Sequence, residues 1–155
     1  MLSLSQPLIL ASQSPYRAAV LRSAGFEFSQ IAANIDESIL KDTLAQETFE
    51  TIAIQLAIAK GLYISRQFPT SVIIAADQLC VMGNQIFSKP GNKERATQQL
   101  TELSGNKHSL VNGMVLCKDG RCLWSDSQQC HLDMRPLTSG EILRYIDLDT
   151  PYDTC

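Results

Sequence analysis

No segment of the 155-residue chain approaches the ~20 consecutive apolar residues that cross a bilayer. The stretch Met1 to Leu10 lacks the basic start and long apolar region of a signal peptide, and Gln6-Pro7 interrupts it. A cytoplasmic protein with no membrane partner is therefore the expectation. Basic excess is missing as well: 13 Lys and Arg stand against 16 Asp and Glu, a formal charge of -3. Proteins that wrap a nucleic-acid backbone need clustered cations to displace counterions, so no nucleic-acid polymer is expected as a partner. Any anionic ligand must be held locally. Five cysteines, Cys80, Cys117, Cys122, Cys130 and Cys155, are an odd number without a C-x-x-C spacing, which fits reduced thiols. Cys117 and Cys122 flank the turn Lys118-Asp119-Gly120-Arg121 and could face each other across a hairpin. A disulfide or a metal site is conceivable there, beside the plainer reading of small core residues. The two histidines, His108 and His131, lie far apart in sequence with no matched nucleophile, so neither supports a triad and both read as structural.

What is present is an ordinary globular profile, 45% hydrophobic and 19% charged, with no repeat or low-complexity run. A chain of this length buries roughly 70% of its unfolded surface, so a single domain over 1–155 with one core is expected. Leu8-Ile9-Leu10-Ala11 reads as a buried strand running into Ser12-Gln13-Ser14-Pro15. Ser14 is a good N-cap, Pro15 suits the first helical position, Ala19-Val20 and Ala24 fall at helical spacing, and Gly25 suits the stop. Phe26 to Ile35 predicts a second strand leading to Asp36-Glu37, followed by a polar stretch. A helix over about Phe49 to Arg66 should bury Ile52, Leu56, Ala59 and Tyr63, with Lys60 beside that face. Val72 to Ala76 is β-branched and apolar on both faces, hence a central strand, and it should end at Asp77. Gly83-Asn84 marks a two-residue hairpin between Leu79–Met82 and Gln85–Phe87. Asn92 caps a helix with Ala96, Leu100 and Leu103 inward. Two longer strands, about Lys107 to Cys117 and Cys122 to Met134, meet at Asp119-Gly120. Thr138 caps a last helix with Ile142, Tyr145 and Ile146 inward, reaching about Leu148. The order predicts an α/β fold with a mixed sheet flanked by helices.

Chemistry concentrates in a few places. Ser12, Ser14 and Arg17 lie between a buried strand and a helix start, where backbone N–H groups and the helix dipole favour an anion such as phosphate. The alternative is a plain cap with a solvated arginine. Asp77, expected at the end of a central strand, could bind a metal or orient water, or else cap a turn with Gln78. Asp36 and Glu37 could share a cation, since Mg²⁺ takes one or two carboxylates plus substrate oxygens, or could be a solvated loop. Lys60 and Lys89 could neutralise phosphate, or simply be a snorkelling and an exposed lysine.

Taken in order, these segments resemble the Maf-like nucleotide pyrophosphatases along almost the whole chain. The carrying residues are Leu10-Ala11-Ser12-Gln13-Ser14-Pro15-Tyr16-Arg17, Asp36-Glu37, Lys60, Ala76-Asp77-Gln78, Lys89-Pro90 and Leu103-Ser104-Gly105. The resemblance implies an elongated mixed sheet of the Maf and inosine-triphosphatase type. It also implies hydrolysis between the α and β phosphates of a nucleoside triphosphate, with Asp77 as proton acceptor for the attacking water. A divalent cation, Mg²⁺ or Mn²⁺, would lie near Glu37 and Asp77, and Ser12, Ser14, Arg17, Lys60 and Lys89 would bind phosphate. Asp77-Gln78-Leu79-Cys80 is similar to the branch that hydrolyses 7-methyl-GTP, and Tyr16 falls where that branch carries an aromatic residue. N7-methylated guanine is cationic, and an aromatic face attracts a cation by ~0.5 to 2 kcal/mol. Gln78 can both donate and accept at a base edge. The partners expected are a nucleoside triphosphate and, as an option left open, a second copy of the chain in a homodimer.

Two departures stand out. Ala18 occupies a position where the family usually has a second arginine. The family also continues past Pro151-Tyr152-Asp153-Thr154-Cys155 through a further segment used in base selection, so the 155-residue chain is expected to lack its C-terminal portion and to be weak or inactive alone. A dTTP and UTP pyrophosphatase and a catalytically silent nucleotide-binding regulatory protein are the competing expectations.

Overall fold

The apolar run after Pro7 forms β1 (Leu8–Leu10), an inner strand paired on both edges and buried at all three positions. The computed structural model describes residues 5–153, the side chains of Ile39, Lys41 and Asp42 excepted, so Cys155 and the end of the Asp149–Cys155 segment lie outside the described residues. After β1 come α1 (Pro15–Ser23), β2 (Ser29–Gln30), α2 (Glu37–Thr43), α3 (Phe49–Gln67) and β3 (Val72–Met82). The chain continues through β4 (Gln85–Phe87), α4 (Lys93–Leu103), β5 (Lys107–Lys118), β6 (Arg121–Asp133) and α5 (Ser139–Asp149). The strands form one mixed sheet in the order β2-β1-β3-β5-β6, with β4 paired to β3. β1 runs parallel to β2 and to β3, with Leu10 opposite Ile74, whereas β4 is antiparallel to β3 with Cys80 opposite Phe87. The expected mixed α/β class is the one observed. Two compact units divide the chain, Met1–Asp77 with Asn112–Gln128, and Gln78–Val111 with Gln129–Cys155.

In the first unit, Ser14 caps α1, with Pro15 at its start and Gly25 beyond its end at φ 84°. Its buried residue is Ala18, and Val20 is 66% exposed. The strand expected over Phe26 to Ile35 contracts to Ser29–Gln30, because β1 is only three residues long and offers a parallel partner little ladder. The polar stretch beyond Asp36, expected only to connect to the next helix, contains α2. Asp36 starts it, accepting from the Ser38 N–H at 2.9 Å and the Ser38 hydroxyl at 2.6 Å.

Helix α3 begins at Thr48, whose hydroxyl accepts from the Thr51 N–H. Its buried stripe is Ile52, Ala53, Leu56, Ala57, Gly61, Ile64 and Ser65, so Tyr63 is an outward residue, corrected from the inward one expected. Ala53, Ala57, Gly61 and Ser65 keep part of this stripe small because α3 lies directly on β5. A methyl group added at Gly113 would run into the Ala53 carbonyl, and one at Gly61 would come 2.6 Å from Cys117 Sγ. Ile9, Ala11, Ala57, Ile64, Ile73, Ala75, Val115 and Cys117 complete this core. Strand β3 does not end at Asp77 but continues to Met82. Alternate residues Ile73, Ala75, Asp77, Leu79 and Val81 are all buried, which keeps one pleat running through the carboxylate.

In the second unit, Gly83 at φ 59° turns β3 into β4. Cys80, Phe87 and Leu103 share a cluster with Met82, Leu110 and Met134, and Ala96, Ile142 and Ile146 share another with Leu100, Leu137 and Tyr152. Helix α5 opens with a capping box between Thr138 and Glu141. Tyr145, expected inward, is 42% exposed; Ile142 and Ile146, one turn apart, suffice to seat this helix. His131 Nδ1 pairs with the Ser109 hydroxyl at 2.9 Å. Among the described residues, no helix is long and apolar enough to cross a membrane.

Candidate functional site

The pairing of Leu10 with Ile74, followed by a bond from the Ala11 N–H to the Ile74 carbonyl at 2.8 Å, brings the end of β1 close to Asp77 in β3. There the chain leaves the sheet at Ser12 and turns into α1. β1 pairs with Val72–Ile74 and β4 with Cys80–Met82, so the stretch 75–79 around Asp77 has neither strand as its partner.

In this loop the hydrogen bonds are mostly internal. Ser12 N–H bonds to the Leu10 carbonyl, Ser14 N–H to Ser12 Oγ, Arg17 N–H to Ser14 Oγ, and Ala18 N–H to the Ser14 carbonyl. The expectation that backbone N–H groups cradle an anion is thus revised for these four donors. What the loop presents instead is the Arg17 guanidinium, whose Nη1 donates to Ser12 Oγ at 3.2 Å. Ser12, 8% exposed, fixes both the loop and the arginine. Tyr16 is 70% exposed in the first turn of α1.

Asp77 continues the pleat of Ile73 and Ala75, which pack against Ala57 and Ile64 of α3. The carboxylate therefore points to the side that α3 covers, and Lys60, between those two helix residues, reaches it. Lys60 Nζ lies 2.5 Å from Asp77 Oδ1 and 2.8 Å from Glu37 Oε1, Glu37 being supplied by the start of α2. Two carboxylates distant in sequence thus share one ammonium. Their side chains are 13% exposed for Lys60 and 8% for Asp77, and 35% for Glu37.

Burial pushes the Asp77 carboxyl above the ordinary carboxylate range. The Lys60 charge and hydrogen bond pull it back, Glu37 raises it, Arg17 lowers it, and the net direction is upward. For Lys60, burial favours the neutral amine, but Asp77 and then Glu37 outweigh it and hold the ammonium above an ordinary lysine. The lysine stays charged while the carboxylate is an unusually good proton acceptor.

Two carboxylates converging on one cation are hard oxygen donors of the kind Mg²⁺ and Mn²⁺ take. No group of three His, Cys, Asp or Glu side chains suited to a metal exists among the described residues. The donor set fits an ion that completes its shell with water and substrate oxygens, and does not fit a closed structural zinc site.

The structure therefore brings Ser12, Ser14 and Arg17 together in one cluster, and Glu37, Lys60 and Asp77 in another, with the Arg17 charge felt at Asp77. It does not gather every residue singled out. Asp36, paired with Glu37 in sequence, is used at the start of α2. Gln78 follows Asp77 in an unbroken strand, so its side chain leaves on the opposite side. Lys89 is exposed in the segment after β4, next to the buried Pro90. The role of Ser12 as acceptor for Arg17 was not read from sequence, where two hydroxyls beside an arginine do not say which one bonds it.

A mixed α/β sheet with an arginine loop after its first strand and a buried carboxylate–lysine cluster can bind an anion and activate a water molecule. The family model described as "Maf-like protein" matches residues 7–155, and the chain belongs to that family. A 7-methyl-GTP pyrophosphatase from Brucella abortus is 43% identical over 141 residues, covering 90% of this chain and 71% of the relative. A nucleoside triphosphate pyrophosphatase from Legionella pneumophila is 34% identical over 150 residues, covering 97% and 75%. Among solved structures, a HAM1 protein from Coxiella burnetii aligns with a TM-score of 0.50 at 15% identity, covering 83% of this chain and 71% of that one, a likeness of fold alone.

Proposed function

We propose that the chain is a nucleoside triphosphate pyrophosphatase that hydrolyses 7-methyl-GTP to the monophosphate and pyrophosphate. The observation that carries the chemistry is the Lys60 ammonium bridging Asp77 and Glu37 in a largely buried site. Asp77 takes a proton from water as the water oxygen bonds to the α phosphorus. The bridging α–β bond then breaks, and pyrophosphate leaves with the electron pair. Burial has already raised the basicity of Asp77, which favours proton transfer. Arg17, held by Ser12, and Lys60 oppose the negative charge that accumulates on the phosphoryl oxygens. Glu37 and Asp77 would hold Mg²⁺ or Mn²⁺, whose chemistry is to polarise a phosphoryl oxygen and lower the pKa of bound water.

Base choice rests on Asp77-Gln78-Leu79-Cys80, on the exposed Tyr16, and on the name of the Brucella relative. Tyr16 offers an aromatic face to the methylated, cationic base, while the role of Gln78 in base choice is what the family resemblance implies. Lys89, exposed and followed by proline, is assigned a phosphate contact by the family resemblance. A panel of triphosphates with pyrophosphate detection tests the reading. Preference for 7-methyl-GTP is expected, and preference for dTTP or UTP would assign the chain to the other branch. Nucleotide binding without pyrophosphate release would make it a silent regulatory protein.

A further inference from the structure

We propose that Cys117 and Cys122 are a thiol–disulfide exchange site, closing a reversible cross-strand disulfide on meeting a low-molecular-weight disulfide such as glutathione disulfide. The hairpin between β5 and β6 turns on Asp119 and Gly120, both at positive φ, 48° and 67°. A two-residue turn of this kind sets Lys118 opposite Arg121 and hence Cys117 opposite Cys122. The pair that closes such a turn is hydrogen-bonded and the next pair outward is not, with Cα atoms about 4.5 Å apart. That separation lies within the roughly 4.4–6.8 Å span of disulfides. Both thiols are reduced.

The two cysteines differ in access. Cys122 is exposed, its Sγ donating to the Trp124 carbonyl at 3.4 Å, while Cys117 is wholly buried beneath α3. Burial, with Cys122 adding to it, pushes the Cys117 thiol up to about 12, so Cys122 meets the reagent first. Its thiolate attacks one sulfur of glutathione disulfide, releasing one glutathione thiolate and leaving a mixed disulfide. Cys117 then gives its proton to water and attacks Cys122 Sγ. The protein S–S bond forms, and the second glutathione leaves as thiolate. The protein loses two electrons and the glutathione disulfide gains them.

Closure has a mechanical consequence. Cys117 Sγ is the atom on which α3 rests at Gly61, so close that an added methyl would lie 2.6 Å from it. Drawing that sulfur towards Cys122 removes support from the turn of α3 that carries Lys60.

The test uses the native chain incubated with glutathione disulfide, alkylated, and digested with trypsin without reduction. Cleavage after Lys118 and Arg121 leaves Cys117 and Cys122 on separate peptides that only an S–S bond can join. A linked pair that separates with dithiothreitol and is absent from Cys122→Ser is expected. Alkylation of both thiols, or glutathione on Cys122 with Cys117 still free, would overturn the proposal. Hydrogen exchange on the oxidised chain should show faster exchange at Gly61 to Ile64, and unchanged protection there would overturn the link to α3. Neither measurement depends on catalysis, so the outcome stands apart from the assigned activity.

Discussion

Asp77 with Lys60 and Glu141 with Arg135 are carboxylate–cation pairs of nearly equal length, 2.5 Å and 2.7 Å, yet they behave oppositely. The first is buried in the first unit, and its carboxyl is pushed up. The second is exposed at the start of α5, and its carboxyl is drawn down to about 2 by Arg135 and by the N–H and hydroxyl of Thr138. Distance does not decide what a charge pair does; the desolvation that accompanies it does. The exposed pair is an architectural clip on a helix start, and the buried one stores basicity.

The contrast is broken most directly at Asp77. Asp77→Asn should lower turnover by about 10²–10⁴-fold, the usual contribution of a general base, with substrate binding measured separately by calorimetry. Turnover within a few-fold of the parent would remove Asp77 from the mechanism. Lys60→Met should come next. It leaves two carboxylates facing each other without their cation, and breaking a buried pair costs about 3–5 kcal/mol. Urea unfolding at neutral pH reads this, and the deficit should shrink in acid as the carboxyls protonate. An unchanged midpoint would mean that the cluster is solvated.

Arg17→Ala should raise KM by tenfold or more, as expected for losing hydrogen bonds to a charged group worth about 1.5–3 kcal/mol. Pyrophosphate release against substrate concentration is the measurement, and an effect confined to stability would make Arg17 structural. The smallest effect belongs to the exposed pair. Glu141 has its carboxyl lowered from 4.5 to about 2 in the folded chain, so its contribution is present above 4.5 and lost as pH falls towards 2. Glu141→Gln should therefore remove a stability loss between those values and leave turnover unchanged. For Asp77 the sign is reversed: the native state holds its proton more tightly than the unfolded chain. Stability therefore declines as pH rises from 3.8 through the raised value, and acid titrations of Asp77→Asn without metal should lack that decline.

Much of this was legible along the chain because local chemistry was sufficient for it. Ser14-Pro15, Asn92 and Thr138 announced helix starts, and Gly83-Asn84 and Asp119-Gly120 announced hairpins, each through a cap or a positive φ. Asp77 was legible as a candidate but was misplaced at a strand end, since a carboxylate followed by glutamine breaks an apolar run. The alternation resuming at Leu79 and Val81 was the sign that the strand continued. Helix α2 was missed although Asp36 and Glu37 make a recognisable start, because the residues after them carry little apolar period. That Lys60 joins Glu37 to Asp77 could not be read locally at all. It depends on how α3 lies against the sheet, which no spacing along the chain encodes.

Gly113 and Gly61 set that placement by what they omit. Helix and sheet meet backbone against backbone at Gly113, where nothing can move aside for an added carbon, and over the packed side chains of Cys117, Val115 and Ala75 at Gly61. The reach of Lys60 is in effect a fixed span between two rigid bodies. Residues facing the substrate can vary without disturbing it, whereas one methyl group inserted far from any ligand would lift the ammonium from its carboxylate. Tolerance to mutation in this molecule should thus be narrowest at two positions that carry no side chain.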